Sequence, residues 1–137
     1  MRTILDTGPL VPLFNAADRH HGWVTEALSR LDLPLWTCEP VLTEASYLTG
    51  KGREILEILA DGHLRVGLEL EEQADAVARL LTRYGRRMDL ADACVVRMSE
   101  LTRRCRVFTL DRRDFTFYRR NGREVIPLLS PTAIPRA

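Results

Sequence analysis

Long apolar runs are missing from this chain. None approaches the roughly 18–20 residues that a bilayer-spanning helix needs, so no membrane partner is expected. The opening MRTILDTGPLVPLF is broken by Asp6 and offers neither the uninterrupted apolar core nor the small-residue cleavage site of a secretory signal. A soluble, cytoplasmic protein is the expectation. Cysteine is scarce: Cys38, Cys94 and Cys105 are odd in number and show no Cys-x-x-Cys spacing. That excludes a disulfide framework and a thiolate metal site, leaving reduced, mostly buried thiols. Lysine is nearly absent, with Lys51 the single one among 20 basic residues. There is no Gly-rich phosphate loop, internal repeat or low-complexity tract.

The composition is that of a globular chain: 137 residues, 45 % hydrophobic and 28 % charged. At this size folding buries roughly 68–70 % of the unfolded surface, enough for a core without staples. One domain over residues 1–129 is expected. Ser130-Pro131-Thr132-Ala133-Ile134-Pro135 marks 130–137 as a loosely held tail.

The net charge of +1 hides an asymmetry. Residues 1–82 carry 7 basic against 13 acidic side chains, and residues 83–137 carry 13 against 6. An Arg-rich segment beside an acidic one suits a phosphodiester backbone, because guanidinium pairs with phosphate through a bidentate fork. It equally suits solvated helix faces.

Apolar patterning predicts strands at 3–6, 35–38, 64–67, 106–110 and 125–128. Helices are predicted at 18–31 (capped by Asp18), 40–50, 53–60, 71–84 and 89–103. In the fourth of these, Ala74, Val77, Ala78 and Leu81 share one face. Strands alternating with helices imply an α/β fold: a three-layer α/β/α sandwich around a mainly parallel central sheet.

Four acids stand where an acid is costly or useful. Asp6 and Asp111 follow apolar strands and so emerge at the carboxyl edge of a parallel sheet, where open α/β folds bind ligands. Each also reads as a cap for the turn that follows, Asp111 with Asp114 three residues on. Glu44 falls on the apolar stripe of Val41, Ala45 and Leu48, where a buried charge wants a cation unless the stripe edge is wet. Asp92 sits among Met88, Val95 and Val96, either in a site or answering an Asp89 cap. Two strand ends and two helix faces can meet in one cleft. Four carboxylates together repel unless a divalent cation neutralises them, and oxygen donors select Mg²⁺ or Mn²⁺. Such an ion polarises a phosphoryl oxygen and acidifies bound water, which is the chemistry of phosphodiester hydrolysis.

These residues resemble a known family. Ile4-Leu5-Asp6-Thr7-Gly8-Pro9-Leu10 is similar to the opening motif of PIN-domain ribonucleases of the VapC type, toxins of bacterial toxin–antitoxin pairs. Thr43-Glu44, Met88-Asp89-Leu90-Ala91-Asp92-Ala93 and Thr109-Leu110-Asp111-Arg112-Arg113-Asp114-Phe115 match the second, third and fourth motifs in order. The resemblance implies Asp6 and Asp92 as the main metal ligands, with Glu44 and Asp111 completing the pocket. One acid, such as Glu44, would orient or deprotonate the attacking water. Thr7, Thr109 and Asp114 would support the site from behind, and Arg86, Arg87, Arg112 and Arg113 are candidates for the RNA backbone. A Mg²⁺-dependent endoribonuclease (Mn²⁺ substituting), a cognate antitoxin and a homodimer are what the family implies. The alternatives are a PIN-like module that binds RNA or protein without turnover, a structure-specific DNA nuclease, and a metal phosphatase on small substrates. His20 and His21 are expected to be exposed near a helix start, and Trp23 and Trp36 to be core or dimer-interface aromatics.

Overall fold

A computed structural model of the chain describes residues 1–132. In chain order its elements are β1 (Arg2–Leu5), α1 (Leu10–Leu13), α2 (His21–Ser29), β2 (Leu35–Thr37), α3 (Glu39–Thr49), α4 (Gly52–Ala60), β3 (Leu64–Val66) and α5 (Ala74–Tyr84). After a 3-10 turn at Gly85–Arg87 come α6 (Leu90–Leu101), β4 (Cys105–Phe108), α7 (Arg112–Phe117), β5 (Arg119–Arg120), β6 (Glu124–Val125) and β7 (Leu128–Leu129).

Five strands form one sheet in the order β3-β2-β1-β4-β7, with every neighbour pair parallel. Ile4 lies opposite Trp36 on one side and Val107 on the other. The middle strands are buried on both faces: Ile4, Leu5, Val107 and Phe108 are sealed in the core. That is why they read as continuous apolar runs with no alternation. Helices flank the sheet, as a PIN-like three-layer sandwich requires. Among them α6 packs against β1 and β4 and against both α3 and α5. Its two-sided contact explains why Ala91, Ala93, Cys94, Val95, Val96 and Met98 are all buried.

Several boundaries depart from the sequence reading for identifiable reasons. The first long helix starts at His21 instead of 18, because the Asp18 carboxylate accepts the His20 amide (2.8 Å) in a turn ahead of it. α5 starts at Ala74, not 71, and buries Val77 and Leu80 while Ala74 and Ala78 face solvent, so its buried face is rotated from the expected one. The fourth sheet strand stops at Phe108; the Thr109 amide still bonds the Leu129 carbonyl (3.1 Å), but the Thr109 hydroxyl takes the Asp111 amide as the chain turns toward α7. The expected strand at 125–128 divides in two. Glu124–Val125 pairs antiparallel with Arg119–Arg120, and only Leu128–Leu129 joins the sheet. Asn121 (φ 51°) and Gly122 (φ 83°) supply the left-handed turn of that hairpin, an Asn-Gly signal of the usual kind.

His20 and His21 are half-buried, contrary to expectation, and His21 Nδ1 lies 2.7 Å from the Pro12 carbonyl oxygen, tying α2 to α1. Trp23 packs on the core with its ring 5.7 Å from that of Phe108. Trp36 carries the Arg2 guanidinium at 3.8 Å. All three cysteines are buried and free. Among the described residues no helix is long and apolar enough to cross a membrane. Residues 133–137 of the expected tail lie outside the described residues.

Candidate active site

The strand order brings together segments remote in sequence. β1 and β4 are adjacent and parallel, so the residues that follow them, Asp6 and Thr109-Leu110-Asp111, leave the same edge side by side. Gly8 eases this crossing: a Cβ there would stand 3.2 Å from Leu110 Cβ, tighter than ordinary packing. α3 contributes Glu44 and the first turn of α6 contributes Asp92.

Asp6, Glu44, Asp92 and Asp111 all line one open cleft of about 620 Å³, with Thr7, Asp89, Asp114, Arg86 and Arg87. Each of the four acids is held by its own donor. Thr109 Oγ1 donates to Asp6 Oδ2 (2.7 Å), and Thr7 Oγ1 donates to Glu44 Oε1 (2.6 Å). The Tyr118 hydroxyl lies 2.8 Å from Asp92 Oδ2, and the Asp114 amide donates to Asp111 Oδ1 (3.0 Å). A carboxylate accepts at about four lone-pair positions, so one such bond orients it and leaves capacity for a ligand. Asp89 does cap α6, accepting the Asp92 amide at 2.8 Å, and Asp111 does cap α7. Capping and lining the cleft turn out to be compatible for Asp111.

Burial makes ionisation costly here. It pushes the Asp6 carboxyl up to about 6; the Thr109 and Thr7 bonds pull against it, while nearby Asp111 and Glu44 add repulsion. Asp92 is pushed up to about 7, first by burial, with Tyr118 opposing and Asp89, Asp6 and Asp111 reinforcing. Asp111 is raised too, by desolvation and by Asp114 beside it. Groups that repel one another across a cleft are the ones a cation relieves. The donors are all oxygen, which suits a hard divalent ion. Among the described residues no three His, Cys, Asp or Glu side chains close around a point that would hold a metal. Mg²⁺ does not need three, since it takes one or two carboxylates and keeps its waters.

No family profile matches the chain. Over 126 residues it is 31 % identical to Ribonuclease VapC26 of Mycobacterium tuberculosis (strain ATCC 25618 / H37Rv), covering 87 % of this chain and 93 % of that protein. The chain belongs to the VapC family of PIN-domain proteins.

Of the arginines singled out in this VapC-family chain, Arg86 and Arg87 reach the cleft, whereas Arg112 and Arg113 sit exposed at the start of α7 outside its lining. Arg87 is committed internally. Its Nε donates to Asp114 Oδ1 (2.8 Å) and its guanidinium lies 3.8 Å over the Phe117 ring. The sequence reading missed Tyr118. Phe115 and Tyr118 fall three apart on an apolar face, which signals packing; nothing in their spacing signals that the hydroxyl reaches Asp92.

Proposed function

We propose that this chain is a Mg²⁺-dependent endoribonuclease, the toxin of a toxin–antitoxin pair, working at the cleft of Asp6, Glu44, Asp92 and Asp111. The observation that carries the reading is the meeting of these four acids, each on its own element and each with its own orienting donor. Kinship to a protein named a ribonuclease supports RNA as the substrate. Asp6 and Asp92 would hold the cation, with Glu44 and Asp111 reaching it directly or through water, and Mn²⁺ would serve in place of Mg²⁺. What the ion supplies when bound is polarisation of the scissile phosphoryl oxygen and a more acidic water.

The chain's own residues do the rest. Glu44, held by Thr7, is placed to orient the attacking water and take its proton. Arg86 holds the RNA backbone at the cleft rim, with Arg87 adding its charge there while its Nε stays bonded to Asp114, and Arg112 and Arg113 hold it further out, by charge-assisted bonds to phosphate. Thr109 fixes Asp6 so that its remaining lone pairs face the reaction. A protein antitoxin, a homodimer and a cytoplasmic location complete the proposal, with residues 1–129 acting as one unit.

The test is cleavage of RNA by purified protein in Mg²⁺ or Mn²⁺ and in EDTA, beside Asp92→Asn. Cleavage lost in EDTA and in a folded Asp92→Asn protein is the expected result. Equal cleavage by the variant would remove the assigned site, and EDTA-resistant cleavage would remove the metal.

A further inference from the structure

Tyr118 ends α7 and is fully buried, its ring packed edge-on against those of Tyr84, Phe115 and Phe117 at centroid separations of 5.1, 5.3 and 6.4 Å. A phenylalanine would satisfy that cluster. The hydroxyl therefore needs its own explanation. It lies 2.7 Å from the Arg87 carbonyl oxygen and 2.8 Å from Asp92 Oδ2. A phenol carries one proton, and the Arg87 carbonyl and an ionised Asp92 both only accept, so the two share that single proton, and the hydroxyl bridges the main chain of the Gly85–Arg87 turn and an acid on α6. The same turn is gripped a second time: the Arg87 side chain bonds Asp114 and stacks on Phe117, both on α7. Tyr118 is thus the point where the turn, α6 and α7 are locked to one another.

We propose that Tyr118 is a positioning residue for the cleft, acting through Asp92. Its hydroxyl fixes the Asp92 side chain by Oδ2 and leaves Oδ1 to meet the cation at a set distance from Asp6. This rests on the metal-dependent reading of the site given above. Partners that orient a metal-binding carboxylate typically contribute about 10- to 100-fold in metal affinity.

Tyr118→Phe keeps the ring and removes only the hydroxyl. Tyr84→Phe is its matched control. The Tyr84 hydroxyl is also in this aromatic cluster but accepts the Arg119 amide (2.8 Å) and touches no acid. Mn²⁺ binding is measured by electron paramagnetic resonance without RNA, and the Mg²⁺ concentration for half-maximal cleavage is measured alongside. Tyr118→Phe is expected to retain the wild-type circular dichroism, to bind Mn²⁺ about tenfold more weakly and to need about tenfold more Mg²⁺. Tyr84→Phe is expected to match wild type in both. Mn²⁺ binding by Tyr118→Phe within about twofold of wild type overturns the proposal. So does an equal loss in Tyr84→Phe, or a Tyr118→Phe chain that does not fold, since the hydroxyl's role is then structural. A wild-type chain that binds no Mn²⁺ and cleaves RNA in EDTA overturns the underlying reading instead, before either variant is made.

Discussion

Thr109 Oγ1 donates to Asp6 Oδ2 across 2.7 Å, joining residues 103 positions apart in the chain. The same oxygen accepts the Asp111 amide at 2.9 Å. One hydroxyl therefore orients the first acid and fixes the backbone that presents the fourth.

Thr109→Val removes both bonds while keeping the shape. The Asp111 amide and the buried Asp6 carboxylate then lose a partner, at a cost of about 1–3 kcal/mol. Chemical denaturation should show that loss, and cleavage should fall about tenfold or more. Thr109→Ser keeps the hydroxyl and should recover most of the activity. A valine variant as stable and active as wild type would show that the bond is incidental.

Asp6 and Asp92 are held up to about 6 and about 7 in the folded chain, chiefly by burial, against about 4 when unfolded. With raised values the unfolded chain gives up its protons first. The stability these groups contribute is fully present below about pH 4 and is lost as pH rises through about 6 to 7. In EDTA, Asp6→Asn should melt within about a degree of wild type near pH 4 and several degrees above it near pH 8. Its cleavage should be lost throughout. A stability difference that shrinks as pH rises would contradict the assignment.

Adding Mg²⁺ at pH 8 supplies the missing positive charge by another route. The wild-type melting temperature should rise with ion concentration, as for any ligand that binds only the folded state. Asp92→Asn should respond much less. Differential scanning calorimetry without RNA reads this directly.

Glu44→Gln separates chemistry from architecture. The amide oxygen of Gln still accepts from Thr7 Oγ1, which sits 2.6 Å from Glu44 Oε1. Stability should stay within about 0.5 kcal/mol. Cleavage should drop about 100-fold or more, as loss of a general base does. Unchanged cleavage would pass that role to another acid.

The arginines divide into two kinds. Arg112 and Arg113 form no ion pair among the described residues. Replacing either by Ala should leave the melting temperature unchanged, weaken RNA binding and reduce the salt dependence by about one ion each. Arg87→Ala breaks the bond to Asp114 and the stacking on Phe117, so it should destabilise the fold as well. Salt titrations beside thermal melts distinguish the two.

Much of this was legible in the residues because the physics is local or strongly patterned. A parallel sheet leaves its middle strands dry on both faces, so Ile4-Leu5 and Val107-Phe108 announced themselves and placed Asp6 and Asp111 at their ends. Glu44 and Asp92 stood out as charges among apolar neighbours. What stayed hidden depends on contacts between distant segments. Whether Arg87 is free or committed is decided by Asp114 and Phe117, which no spacing ties to it. Tyr118 hid behind a sound inference, since an aromatic on an apolar face is core, and here it is core and site at once. The start of α2 was missed because Asp18 serves an isolated turn as readily as a helix cap.

The central place of β1 has a consequence in time. Its partner β4 is paired with it from Arg2–Cys105 to Leu5–Phe108, so β1 waits for a strand translated about a hundred residues after it. Contacts of such long sequence separation are slow to form, because loop-closure entropy is lost before they can offset it. On the ribosome, Asp6 emerges early but has neither Thr109 nor Asp111 beside it until most of the chain is out. For a chain proposed to cut RNA, strand order alone keeps the cutting centre unassembled until β4 and the residues after it have been made.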